Sequence, residues 1–339
     1  MKRATIFVTH GPMALANYYG ARALAALEAL GEVRRNDRDD EISVDALALM
    51  ARDCDIIVSY RVHPGSAALF AQLPKLVAFC RCAVDVRNVD IDAASAQGVL
   101  VTQASAGFVH SVSEWIVGVM IDLSRGITAA ATQYHRGEIP VAIIGRELRG
   151  ATLGIIGFGQ IARELTVVAL ALGMRVTVAD PHVAIDRSDV AQVSLAELLA
   201  QSDVVVCLAV ATAETENLMN AQAFALMKSS AIFVNASRGN LVDEAALLHA
   251  LETGQIAACG LGVGRAPDQM PSLELARHPR VIATPHVGGL TPTAIEHQSL
   301  ETVAQVREIL QGRVPVGALN AADAHRLRAR FGSDLQRDQ

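Results

Sequence analysis

T-L-G-I-I-G-F-G-Q-I-A-R-E-L, residues 152–165, is the stretch on which the reading of this chain turns. Leu153-Gly154-Ile155-Ile156 reads as a short buried strand, and Ile161, Leu165, Val168 and Leu172 follow at helical spacing. Between them Gly157, Gly159 and Ala162 stand at the first, third and sixth places of a G-x-G-x-x-[GA] turn. Gly157 allows the sharp turn, Gly159 leaves bare backbone for a pyrophosphate, and the small Ala162 lets the helix start close to the strand. The amides at the helix start, around Gln160 and Ile161, face the phosphates with the positive end of the helix dipole. A second apolar run, Arg175 to Ala179, ends at Asp180, 23 residues after Gly157. A carboxylate there hydrogen-bonds an adenosine ribose and repels a 2′-phosphate, so the pattern predicts dinucleotide binding and NAD over NADP.

Working outward, strands are predicted at 153–156, 175–179, 204–208, 231–235, 260–263 and 281–283, with helices between them. Six strands with short crossovers predict a doubly wound, Rossmann-type parallel sheet. The first hundred residues alternate too, with strands at 5–9, 55–59, 76–79 and 99–101 and a helix over 17–30, but carry no phosphate fingerprint. They predict a smaller α/β domain of their own, lying across the cofactor cleft. Long helices are expected over 111–135 and 291–311, the second carrying the chain back to the first domain, with a helix-prone tail from Ala321 to Gln339. The expected division is a discontinuous substrate domain, 1–103 with 292–339, and a nucleotide domain, 104–291.

Composition narrows the function. At 339 residues the chain is too long for one ordinary core, and 51% apolar residues with few aromatics suit buried parallel strands. A net charge of −6 argues against a nucleic-acid surface. No apolar run reaches membrane-spanning length, and the short one after Met1-Lys2-Arg3 stops at His10-Gly11-Pro12, as a first strand would. The five cysteines are scattered, several within apolar runs, and Cys80-Arg81-Cys82 has no second pair. Reduced thiols, a cytoplasmic setting and no metal site are expected.

Four segments together resemble the D-isomer-specific 2-hydroxyacid dehydrogenase family, to which phosphoglycerate, glycerate and formate dehydrogenases belong. They are E-L-R-G-A-T-L-G-I-I-G-F-G-Q-I-A around the turn, N-A-S-R-G-N-L-V-D-E at 235–244, T-P-H-V-G-G-L-T at 284–291, and V-D-V-R-N-V-D-I-D at 84–92. The resemblance implies NAD, a flavodoxin-like smaller domain, a homodimer paired through the nucleotide domain, and hydride transfer between nicotinamide and a small 2-hydroxy or 2-keto acid of D configuration. The helix from Ser111 to Ile127 offers an apolar dimer contact. The chemistry needs a base for the hydroxyl proton, and His286 fits because imidazole titrates near working pH. It needs a fixed cation for the carboxylate and developing carbonyl, and Arg238 fits because a guanidinium holds a carboxylate in two bonds. Backbone at Thr212, Ala236 and Gly288 is expected along the nicotinamide half of the cofactor.

The chain departs from the family at two places. Where the family has a glutamate beside the histidine, this chain has Pro267, with Asp268 one residue late as the candidate partner; the usual Asp and Phe are Gly262 and Gly264. A histidine without an acidic partner holds its proton less tightly. The substrate loop reads R-C-A-V-D-V-R-N, residues 81–88, with Ala83 and Asp85 in place of glycines. Alanine tolerates a left-handed backbone poorly, and a carboxylate at Asp85 repels an anionic substrate unless Arg81 or Arg87 pairs with it. Arg61, Ala83, Val84 and Asp85 are the expected substrate contacts. Trp115 follows Glu114, where the family often has histidine. Two other readings stay open from these departures: an NAD(H)-binding regulatory relative with weak or no catalysis, and oxidation of a formate- or phosphite-type donor.

Overall fold

The computed structural model describes residues 3–332. They form two units, one running to Phe108 and resuming at Leu290, the other spanning Val109–Gly289.

The first unit is built on five strands, β1 (Thr5–Val8), β2 (Glu32–Arg35), β3 (Ile56–Ser59), β4 (Ala78–Arg81) and β5 (Leu100–Gln103). They lie all parallel in the order β2-β1-β3-β4-β5. The two-residue period feeds two cores: Ile6, Val8, Ile56, Val58, Ala78 and Cys80 on one face, Phe7, Ile57, Phe79 and Val101 on the other. The edge strand β2, Glu-Val-Arg-Arg, has no such run, and its charges keep the open edge in water. Helix Pro292–Leu310, capped by Thr291, packs on helix Ala21–Glu28 and on β4. Past it the described tail holds helix His325–Phe331, and the rest of the predicted helical tail lies outside the described residues. The helix expected over 17–30 is two helices, Pro12–Tyr18 and Ala21–Glu28, broken where Gly20 takes φ +87°.

The second unit has seven parallel strands: β6 (Thr152–Ile156), β7 (Arg175–Ala179), β8 (Val190–Gln192), β9 (Val204–Cys207), β10 (Ile232–Asn235), β11 (Ala258–Leu261) and β12 (Val281–Ala283). Their order, β12-β11-β10-β9-β6-β7-β8, reverses direction at β6/β9, where doubly wound sheets open a crevice at their carboxyl ends. The expected strand 260–263 lies two residues earlier, because a G-L-G-V-G stretch carries little alternation to fix register. The short edge strand β8 was not expected. Helix Val109–Arg125 buries Val112, Ile116, Val119 and Met120 against helix Gln160–Ala171, β10 and β11. Gly260 makes this packing possible, since a Cβ there would run into the Val119 side chain. At Gly126, φ +65°, the predicted long helix breaks and Ile127–His135 follows. Among the described residues no helix is long and apolar enough to cross a membrane.

At the carboxyl end of β1, His10 is fully buried between Tyr19 and Tyr60, ring centroids 5.1 and 5.0 Å away. Neither of its ring nitrogens has a hydrogen-bond partner. Burial first, then the neighbouring His63 and Arg81, pushes its pKa down to about 3 from an ordinary 6.5. The unfolded chain therefore takes up this proton first. The His10 contribution is complete above about pH 6.5 and is lost as pH falls from there toward 3, on the order of 2 kcal/mol by pH 5. Urea midpoints at pH 7.5 and pH 5 check this: His10→Phe is expected to flatten the acid-side fall, and an equal fall in both proteins would assign it elsewhere.

Candidate functional site

The glycine turn occupies the expected place, between β6 and helix Gln160–Ala171. Gly157 has φ +87°, and a Cβ there would sit 2.7 Å from the Ala209 backbone, so both conformation and space demand glycine. Gly159 is different: a Cβ there would meet nothing within 4 Å, so the backbone faces open space. Gly159 is also the N-cap of the helix and no side chain caps it, which leaves the amides at Gln160 and Ile161 directed at that space. Ala162 is buried. Asp180 ends β7 as predicted, and its two oxygens accept from Phe158 N at 2.7 Å and His182 N at 2.8 Å. These bonds aim the carboxylate and tie it to the turn. An open glycine face, an uncapped helix start and a fixed carboxylate together fit a dinucleotide. Gly157, Gly159, Gln160, Ile161 and Asp180 would hold its adenosine and pyrophosphate half. Thr212 lies on an exposed loop after β9, where its N–H donates to Thr215 Oγ1 at 2.8 Å; Ala236 directly follows β10.

Arg238 follows β10 by three residues. Asn235 Nδ2 donates to its carbonyl at 3.0 Å, and its own guanidinium donates to Ser237 O at 2.7 Å. The next residue, Gly239, packs backbone to backbone on Gly264, and a Cβ at Gly239 would overlap the Gly264 carbonyl. Gly264 opens a tight loop closed by Gly264 N–H to Gln269 O, 2.8 Å, and Ala266 N–H to Met270 O, 3.0 Å. Within it Asp268 and Gln269 adopt left-handed backbone, φ +54° and +58°. His286, on the turn after β12, is left-handed too at φ +54°. Its Nδ1 lies 2.9 Å from the backbone carbonyl oxygen of Asp268. A carbonyl only accepts, so Nδ1 carries the hydrogen and Nε2 is left as the basic atom. The carboxylate of Asp268 was the expected partner of His286; the contact at Nδ1 is made by its main-chain carbonyl, which no side-chain pattern announces.

Trp115 sits on the buried helix against both glycines that flank this turn. A Cβ at Gly262 would lie 2.9 Å from the indole, and one at Gly288 would lie 3.8 Å from it. The missing aspartate at 262 and the tryptophan at 115 are one packing arrangement. A lone tryptophan beside a glycine-for-aspartate exchange was the sequence signal for it. Arg265, which makes five hydrogen bonds, was also missed.

In the first unit, two loops follow the carboxyl ends of β3 and β4. Arg81 is fully buried and donates to Tyr60 O at 2.6 Å, His63 O at 3.0 Å and Asn88 Oδ1 at 2.7 Å. Burial lowers its pKa to about 10, still a cation at neutral pH. Asn88 Nδ2 in turn donates to Arg61 O at 3.0 Å, so the loops are stapled together. The Arg61 guanidinium lies 4.9 Å from the Tyr18 ring centroid and 5.7 Å from that of Tyr60. Asp85 takes a two-pronged bond from Arg87, Nε to Oδ1 at 3.0 Å and a terminal nitrogen to Oδ2 at 2.6 Å. Ala83 is buried, Val84 half-buried, and neither Ala83 nor Asp85 is left-handed, so the loop avoids the strain that replacing glycine threatened. Among the described residues no three metal-ligating side chains cluster.

Comparison with known proteins accounts for the arrangement. Residues 117–288 match the family model described as D-isomer specific 2-hydroxyacid dehydrogenase, NAD binding domain. The chain is 33% identical over 312 residues to D-3-phosphoglycerate dehydrogenase of Mycobacterium bovis, covering 90% of this chain and 58% of that protein. It therefore spans a little over half the length of such curated relatives. Among solved structures it is similar to the TT0316 protein of Thermus thermophilus, with TM-score 0.84 and 27% identity, covering 93% of this chain and 99% of that one. A pyruvate reductase of Chlamydomonas reinhardtii aligns with TM-score 0.79 and 25% identity, covering 93% and 98%. The match over half the chain, on a sheet order, glycine turn and terminal Asp180 built for NAD, places this protein in the D-isomer-specific 2-hydroxyacid dehydrogenase family.

Proposed function

We propose that the protein is an NAD-dependent oxidoreductase that interconverts small D-2-hydroxy acids and 2-keto acids. The observation that carries this is His286, fixed through Nδ1 with Nε2 as its basic atom, in the same unit as Arg238 and the cofactor turn. NAD supplies the hydride acceptor in one direction and donor in the other. In oxidation, His286 Nε2 takes the proton of the C2 hydroxyl while the C2–H bond breaks and the hydride departs. Arg238 holds the carboxylate and stabilises the charge that moves onto the C2 oxygen. In reduction the imidazolium returns the proton. Arg61 and the turn at Ala83, Val84 and Asp85 are the substrate contacts of the first unit, and the Arg87 pair on Asp85 supports approach of an anionic acid. The names of the phosphoglycerate dehydrogenase and the pyruvate reductase place their substrates in this class. The test is a panel of 2-keto acids with NADH, scored by NADH oxidation and D configuration of the product. Tight NADH binding without turnover would favour a regulatory role, and turnover confined to formate or phosphite would favour the third reading.

The same unit supports a homodimer. Helix Val109–Arg125 buries Val112, Ile116, Val119 and Met120 in its own core and leaves Ile121 exposed. Beyond it, Tyr134, Ile139, Val141, Ile143 and Ile144 are 63, 87, 85, 68 and 103% exposed. Arg136, Arg146, Glu138 and Glu147 accompany them, so the segment balances its own charge, as an interface with a second copy requires. Sedimentation velocity is expected to show a dimer that Ile143→Asp with Ile144→Asp converts to monomer; a monomeric native protein would contradict this. The five buried free thiols support a reducing, cytoplasmic setting.

A further inference from the structure

Arg265 stands two residues before Pro267, in the segment where this chain departs most from its family. Its backbone N–H donates to Glu244 Oε1 at 3.0 Å and its Nε to Val242 O at 3.1 Å. One terminal nitrogen reaches three acceptors, Asn240 O at 3.0 Å, Glu216 Oε1 at 2.8 Å and Asn217 Oδ1 at 2.5 Å. Two of these acceptors, Asn240 O and Val242 O, belong to the turn Gly239–Leu241 that leaves Arg238 and to the residue that closes it. Of the others, Glu244 opens helix Glu244–Glu252, and Glu216 and Asn217 belong to the loop after β9, where Asn217 is left-handed at φ +53° and its N–H donates to Asn240 O at 2.9 Å. The same loop, three residues on from Arg265, carries Asp268, whose carbonyl takes the His286 Nδ1 hydrogen.

We propose that Arg265 is a positioning residue: its guanidinium fixes the backbone that carries Arg238, and the rigid loop 264–271 holds that fixture in register with the carbonyl that orients His286. The inference rests on the roles assigned above to Arg238 and His286. The physical case is the geometry of the acceptors. Backbone carbonyls at two positions, a carboxylate and an amide oxygen converge on one planar fork, which only arginine presents. An ammonium at that place satisfies one or two of them and leaves the rest to water. Hydrogen bonds from Asn240 and Arg265 hold the Glu216 carboxyl below its ordinary range, so the ion pair persists through neutral pH. The exchange of phenylalanine for Gly264 belongs to the same device. A Cβ at Gly264 would press on the Met270 carbonyl at 2.7 Å and on Pro271.

The test compares the native protein with Arg265→Met and Arg265→Lys. Three readouts are taken on each: KM and kcat for the keto acid that the native protein reduces best, NADH affinity from quenching of Trp115, the sole tryptophan, and hydrogen exchange of segments 216–219 and 238–243. Arg265→Met is expected to raise KM about tenfold or more, the scale of losing one charge-assisted bond set, with NADH affinity within about twofold. Exchange at 238–243 is expected to quicken, Arg265→Lys to fall between, and added guanidinium ion to recover part of the loss. Unchanged exchange at 238–243 in both variants overturns the proposal whatever the activity. So does equal loss of NADH affinity and substrate KM, the mark of general loosening. If the native protein reduces no keto acid while Arg265→Met loosens 238–243, the assigned function fails and the pinning of the Arg238 turn stands. Should Arg265→Met not fold, Arg265→Lys carries the same comparison.

Discussion

Replacing His286 by asparagine is expected to lower kcat by about 10²- to 10⁴-fold, the usual worth of a positioned acid–base group, while KM for the acid and NADH affinity move little. Asparagine is the substitution of choice because His286 is left-handed at φ +54°, and asparagine enters that region at far less cost than alanine. Its side chain can keep a bond to the Asp268 carbonyl and has no basic nitrogen to offer at the Nε2 place. The expected loss is therefore one of proton transfer, with the fold and the loop contact preserved. Initial rates in both directions, with melting temperature as the control, check it. A variant within tenfold of the native rate would remove His286 from the chemistry.

Replacing Arg238 by alanine acts on a different quantity. In the proposed role its guanidinium holds the carboxylate in ground and transition states alike and meets additional charge on the C2 oxygen only as the hydride moves. Charge-assisted bonds of this kind are worth about 1.5–3 kcal/mol each, so kcat/KM is expected to fall on the order of 10²- to 10³-fold, split between a higher KM and a lower kcat. Arg238→Lys is expected to recover KM in part and kcat hardly at all, since one ammonium cannot replace the two-pronged hold. Steady-state kinetics with a keto acid and with its amide separate the terms. The amide lacks the charged group, so Arg238→Ala should penalise it far less. Equal penalties on acid and amide would place Arg238 away from the carboxylate.

Much of this arrangement was legible in the chain. The turn at Gly157, Gly159 and Ala162 and the acid at Asp180 work through spacing, which sequence records directly. The buried strands were legible because both faces are apolar, as in Ile56–Ser59 and Val204–Cys207. The edge strands β2 and β8 were not, because Glu-Val-Arg-Arg and Val-Ala-Gln carry the polarity that an open edge needs. The breaks at Gly20 and Gly126 were missed because the apolar period runs on across a left-handed glycine. At the candidate site the sequence names side chains and not their backbone partners. Arg238 and His286 could be named from their motifs, but a carbonyl at Asp268 has no letter of its own. Arg265 drew no reading from the sequence because its acceptors come from three separate stretches, 216–217, 240–242 and 244. The placement of Trp115 over Gly262 and Gly288 likewise pairs residues more than a hundred positions apart.

At His286 the Asp268 main-chain carbonyl faces Nδ1. A neutral acceptor fixes the tautomer of the ring as well as a carboxylate would. The tautomer serves both directions, and protonation state then decides between them.

The central claim is that this chain transfers hydride between NAD(H) and a 2-hydroxy or 2-keto acid with His286 as the proton carrier. One measurement addresses it most directly: NADH oxidation by the native protein and by His286→Asn across a broad 2-keto acid panel, with the configuration of the product determined. The native protein is expected to turn over at least one acid to its D-2-hydroxy product, and His286→Asn to lose that turnover at unchanged NADH affinity. Firm NADH binding by both proteins with turnover of no acid by either would contradict it.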